Sequence, residues 1–185
     1  MMSSALDLSS LLASITKRKI FVSYQHGHDQ GYYDALCKRF CDTFDLVQDN
    51  SVDRLIDSDD SEYVMRYIRE NYITGSSSTI VLCGPETRWR KFVDWEIKAT
   101  LDKEHGLLAV RLPSAPLDQY GRWNKPDRLQ DNLDSGYAAW TTWGNIWEHP
   151  QVLAQWIEYA NQRPKVLITN ARPTLSRNGI SPWHT

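Results

Sequence analysis

The sequence predicts an α/β domain with a central parallel sheet and helices on both faces. Short apolar runs alternate with longer segments of helical periodicity, the βαβα signature of such a sheet. The apolar runs are continuous rather than alternating, as strands buried on both faces are. No hairpin dipeptide joins neighbouring runs, so the strands have no cue for antiparallel return.

Residues 1–18 read as a leader, with a short helix through Leu8, Leu11, Leu12 and Ile15. Lys19-Ile-Phe-Val-Ser-Tyr24 is the first strand, followed by the polar turn-rich loop Gln25–Gly31. Tyr32–Phe44 is amphipathic, with Tyr33, Leu36, Cys37, Phe40 and Cys41 at helical spacing. Phe44–Val47 is a short strand, and the acidic stretch Gln48–Asp60 is longer than a simple turn, which marks it as a candidate functional loop. Ser61–Ile73 is a helix with Val64, Met65, Ile68 and Tyr72 inward, ended by Gly75. Thr79–Cys83 is a buried strand. Thr87 is placed to cap the helix Trp89–His105, which Gly106 stops. Leu107–Leu112 is a further strand ended by Pro113. Residues 114–150 read as an irregular insert holding Trp123, Trp140, Trp143 and Trp147, with one short strand near Ala138. Gln151–Ala160 is the last helix, and the tail from Lys165 reads as loosely attached. The organisation expected is a leader 1–18, a domain 19–164 carrying the insert 114–150, and a tail 165–185.

Bulk properties narrow the function classes. A chain of 185 residues that is 41% hydrophobic and holds eight Trp has the means to bury a core. A net charge of −2, from 21 basic and 23 acidic residues, offers no electrostatic footprint for nucleic acid or an anionic membrane. No apolar run reaches the roughly 18 residues of a membrane span. The start Met-Met-Ser-Ser lacks the basic and apolar regions of a secretory signal, and three Cys make no disulfide framework. A reducing cytoplasm is the expected location.

One residue is out of place. At about 100° per residue, Trp89, Phe92, Val93, Ile97 and Thr100 form an apolar stripe, with Lys91, Asp94, Lys98 and Asp102 opposite. Glu96 lies near the middle of the apolar stripe. A carboxylate there needs a cationic partner, such as Arg54, Arg66 or Arg111, or a cleft to point into. In a parallel sheet the ligand cleft lies off the carboxyl ends of the strands, where strand order reverses. The loops after Tyr24, after Val47 and at Gly84–Thr87 meet at that edge.

Other constellations carry less. His26-x-His28 with Cys37-x-x-x-Cys41 is a four-ligand set by type, but both Cys fall on the core stripe of their helix, so no metal is expected. Asp57-Ser-Asp-Asp60 reads as a solvated loop and helix start rather than a cation site. There is no Gly-x-Ser-x-Gly elbow and no glycine-rich phosphate loop. The insert tryptophans suit a satellite core, or a face on which a nucleobase or nicotinamide ring stacks.

Ile20-Phe-Val-Ser-Tyr24 followed by His and Asp resembles the opening strand and loop of TIR domains. Ser78-Thr-Ile-Val-Leu-Cys-Gly84, then Thr87, an aromatic residue and Trp95-Glu-Ile97, resembles their third strand and third helix. The similarity spans roughly residues 19–112 and is nearest to the TIR-like branch of bacterial Thoeris antiphage systems. In that branch an aromatic residue, usually Trp, precedes a Glu by four positions; here the pair is Phe92 and Glu96. The resemblance implies a three-layer, flavodoxin-like TIR fold and cleavage of the nicotinamide–ribose bond of NAD⁺, which is substrate and not cofactor. It makes Glu96 the catalytic carboxylate and implies a cyclic or conjugated ADP-ribosyl signal that activates a separate effector. Ser23, Tyr24, Asp57 and Trp95 are the candidate substrate-binding residues, and homo-oligomerisation is left open. Two alternatives remain beside the enzyme: a non-catalytic TIR-like adaptor acting through TIR–TIR contacts, and a response-regulator-like phosphoacceptor. The latter needs acids where Ser23 and Tyr24 stand.

Overall fold

The computed structural model describes residues 17–48 and 61–179. The expected leader helix and the acidic loop with Asp57 lie outside the described residues, as do the side chains of Met65 and Tyr72. In chain order the elements are β1 (Arg18–Ser23), α1 (Gln30–Phe40), β2 (Phe44–Val47) and α2 (Ser61–Ile68), which runs on into a π-helical turn Arg69–Ile73. Then follow β3 (Ser78–Cys83), α3 (Lys91–Asp102), β4 (Gly106–Arg111), α4 (Asp127–Asp134), β5 (Ala139–Thr142), α5 (Trp143–Glu148) and α6 (Pro150–Asn161).

The five strands form one parallel sheet in the order β2-β1-β3-β4-β5. This is the flavodoxin-like order, with the reversal between β1 and β3. Period-two alternation sorts the side chains. Ile20, Val22, Ile80, Leu82, Leu108 and Val110 meet α1 and α6 on one face. Phe21, Val81, Cys83, Leu107 and Ala109 meet α2, α3 and α4 on the other. Most of these are 0% exposed, and each large aliphatic side chain so buried stabilises the fold by about 1.5–3 kcal/mol.

The structure corrects several local expectations. Thr87 does not cap the long helix. It opens a 3₁₀ turn, Thr87–Trp89, and its Oγ1 accepts the Gly84 N–H at 2.8 Å. Gly106 is not the helix stop: Glu104 turns the chain with φ 55°, and Gly106 begins β4. A Cβ on Gly106 would lie 2.9 Å from the backbone nitrogen of Asn161, so glycine is there to let α6 approach the sheet. Cys41 is exposed and Cys37 half-buried, so the Cys pair does not lie wholly on the core stripe of α1. The segment 114–150 is far more regular than expected, holding α4, β5 and α5. The segment 165–179 is no loose tail: it lies along the outer side of α3, and Arg128 of α4 donates to the Arg172 and Pro173 carbonyls.

Candidate active site

Ser23 is the last residue of β1, and Glu96 lies in the second turn of α3. Because Ser23 shares a face with Phe21, its hydroxyl points at α3. Ser23 Oγ donates to Glu96 Oε2 at 2.5 Å, with the two residues 1% and 4% exposed. That is the range of a charge-assisted O–H···O⁻ bond. One turn further along, Thr100 Oγ1 donates to the Glu96 carbonyl at 2.8 Å and lies 2.7 Å from Thr79 Oγ1. A hydroxyl has one proton, so Thr79 is the donor in that pair. Hydroxyls of β1 and β3 thus register α3 against the sheet at the switch point.

Asp94 of this helix takes part in a buried ion pair. Expected on the outer, polar face, Asp94 is 3% exposed and pairs at 2.9 Å with Arg128, which is 0% exposed. Of the cations weighed as partners for Glu96, Arg66 is exposed, Arg111 is half-buried, and Arg54 lies outside the described residues.

Tyr24 turns to the opposite face of the sheet from Ser23. Its ring stacks on Tyr33, with centroids 4.9 Å apart, and sits 4.3 Å from His26. Its Oη meets the side-chain oxygens of Gln30, at 2.8 Å, and Gln48. Burial pushes the Tyr24 phenol up, against the Gln30 hydrogen bond, and the charge of Glu96 adds to the rise. Trp95, the candidate substrate-binding residue on α3, lies in the core. Its ring is spent on the core with Phe21, Val64 and Ile68, and its Nε1 donates to the Leu175 carbonyl at 2.8 Å. Three residues after Phe92 on the same helix, it faces α2 and the C-terminal segment. Asp57 lies outside the described residues.

The structure adds a residue to which sequence reasoning assigned no role. Asp29, in the β1–α1 loop, is 1% exposed and packs on Gly84, where a Cβ would lie 2.3 Å from Asp29 Oδ1. Thr87 Oγ1 is 3.3 Å from Asp29 Oδ2, while Oδ1 has no hydrogen-bond partner among the described residues. Burial raises its carboxyl to about 6, opposed by the Thr87 hydrogen bond and by His28 and Arg90. Asp29 ties the β1 loop to the β3 loop. Its position in the Ser-Tyr…His…Asp motif was the only sequence signal. Among the described residues no three His, Cys, Asp or Glu side chains gather as a metal site. No described helix is long and apolar enough to cross a membrane.

The strand order, with hydroxyl and carboxylate meeting at its switch point, is that of a TIR-like α/β domain. Residues 21–116 match the family described as Thoeris protein ThsB, TIR-like domain, and the chain belongs to that family. It is thus a TIR protein of antiphage defence, in a system that implies a separate effector. A comparison with curated proteins finds no match. The family match begins in β1 and ends just after β4, so α4, β5, α5, α6 and the C-terminal segment lie beyond it.

Proposed function

We propose that this protein cleaves the nicotinamide–ribose bond of NAD⁺ and releases an ADP-ribose-derived, cyclic signal that activates a separate effector. The supporting observation is the buried Ser23–Glu96 pair at the sheet's switch point. When the C1′–N bond breaks, its electron pair leaves with neutral nicotinamide and positive charge develops on the ribose. A carboxylate held in a low-dielectric site stabilises that charge and accepts hydrogen bonds from the ribose hydroxyls. Ser23 holds the Glu96 carboxylate in place until the sugar's hydroxyls replace it. Tyr24, and Asp57 from the acidic loop, border the substrate. Attack at C1′ by a group of the same molecule closes a ring; attack by water gives ADP-ribose and a proton. NAD⁺ is here a substrate and not a resident cofactor, and the reaction belongs in the cytoplasm.

The test is incubation of the pure protein with NAD⁺, alone and with extract of phage-infected cells, following nicotinamide and nucleotide products by mass spectrometry. Glu96→Gln is expected to lose turnover by at least about 100-fold, the usual cost of removing one transition-state electrostatic group. Product that persists in Glu96→Gln sinks the assignment. A chain that is inactive in both conditions yet still switches on its effector in cells is an adaptor.

A further inference from the structure

Helix α3 is gripped from two opposite sides. Asp94 and Glu96 are two residues apart, so their side chains diverge by about 200° around the axis. Glu96 meets Ser23 of the sheet, and Asp94 meets Arg128 on the outside. Arg128 is fully buried and its guanidinium is fully engaged. Nε donates to Asp94 Oδ1 at 2.9 Å, Nη1 to Asn170 Oδ1 at 2.9 Å, and Nη2 to the Arg172 carbonyl at 2.9 Å. The strap it holds, residues 170–179, grips α3 along its length. Asn170 Nδ2 donates to Asp102 at 2.8 Å, the Leu175 N–H to Asp94 Oδ2 at 2.9 Å, and Asn178 Oδ1 accepts the Lys91 N–H at 2.9 Å.

We propose that Arg128 is a positioning residue for Glu96, fixing the rotation of α3 through Asp94 and the strap. A buried ion pair adds little net stability over apolar packing, and its best-attested use is to select one arrangement. Here the arrangement selected is the rotation that turns Glu96 to Ser23. One residue of slippage turns the carboxylate by about 100°, and a displacement of about 1 Å at a reacting group costs on the order of 100-fold in rate. The inference rests on the reading of Glu96 as the reacting carboxylate. Arg128 and the strap lie outside residues 21–116, so this brace belongs to the part of the chain beyond the family match.

Two full-length variants test it. Arg128→Lys keeps the charge, but a compact ammonium does not span Asp94 and the strap carbonyl as a planar fork does. Asn170→Ala leaves the Asp94–Arg128 pair intact and removes one strap anchor, so it serves if Arg128→Lys fails to fold. In folded protein, amide exchange within α3 is expected to rise at least about 10-fold while β3 and β4 keep wild-type protection. Wild-type exchange in α3, or a uniform rise across the sheet, overturns the proposal whatever the reaction turns out to be. In turnover, kcat is expected to fall about 10-fold or more with KM within about 3-fold. Arg128→Lys combined with Ser23→Ala is expected within about 3-fold of the worse single variant, because both act on one carboxylate. Multiplicative losses overturn the positioning role. Loss of wild-type turnover in the preceding experiment bears on the reaction alone, and the exchange measurement still decides the brace.

Discussion

Glu96 and Asp29 are both buried carboxyls at one edge of this sheet, and their surroundings separate them. Glu96 has the Ser23 hydroxyl at 2.5 Å; Asp29 has the Cα of Gly84 against it and one oxygen with no hydrogen-bond partner among the described residues. Burial raises the Asp29 carboxyl to about 6, with His28 and Arg90 opposing it. Since its folded value exceeds the unfolded one, the fold favours protonated Asp29. The stability it contributes is complete below about pH 4 and is lost as pH rises through 6. Urea denaturation of wild type is therefore expected to lose on the order of 1 kcal/mol between pH 5 and pH 7.5 relative to Asp29→Asn. Equal changes in the two proteins refute it. Glu96 was legible because angular position on a helix follows from counting residues. Asp29 was not, because its burial comes from the loop after β3, nearly sixty positions along the chain. Asp94 was misplaced for the same reason: its partner Arg128 stands 34 residues away.

The strands were legible to within a residue or two, since a continuous apolar run between polar turns has few alternatives. Helix ends were not. The N–H of Lys91, the first residue of α3, is taken up by Asn178 and not by a neighbour, and α3 ends on a left-handed Glu104 in place of a glycine. Helix α4 was read as part of an irregular insert because Asp127-Arg-Leu-Gln-Asp-Asn-Leu-Asp134 is polar apart from Leu129 and Leu133, too few apolar residues to mark a helical stripe. Two of its buried residues, Arg128 and Asn132, are polar side chains satisfied by the strap and the helix backbone, a burial that hydrophobic periodicity does not register. Gly106, by contrast, is an element-scale contact: β4 starts where α6 ends. Gly106→Ala pushes a methyl into the Asn161 backbone and is expected to cost about 1–3 kcal/mol by thermal or urea unfolding. A change under a few tenths of a kcal/mol would show that α6 yields.

Across the whole molecule, the TIR-like core and its C-terminal third share one helix. Asp94 receives Arg128 from α4 and the Leu175 N–H from the strap, so its charge serves both. Asp94→Asn leaves a buried guanidinium without its counter-charge, a loss of about 3–5 kcal/mol in comparable pairs. Amide exchange is expected to show the Leu175 and Gly179 N–H groups, bonded to Asp94 and to the Trp89 carbonyl, protected in wild type. Both are expected to lose that protection together in Asp94→Asn, as one cooperative unit does. Retained protection at Gly179 would separate the strap's two halves. The family resemblance was legible from β1 to α3 because its motifs are short and local. The brace was not, since every bond in it joins residues far apart in sequence.

The cap on α3 also has a consequence for the order in which the protein is made. Synthesis runs from the amino end, and domains acquire structure as they emerge. Ser23, Glu96 and four of the five strands leave the ribosome before α4, and Asn178 follows Lys91 by 87 residues. A nascent chain therefore holds the proposed chemical groups well before it holds the brace that aims them. A later stretch of the chain completes the seat of an earlier one.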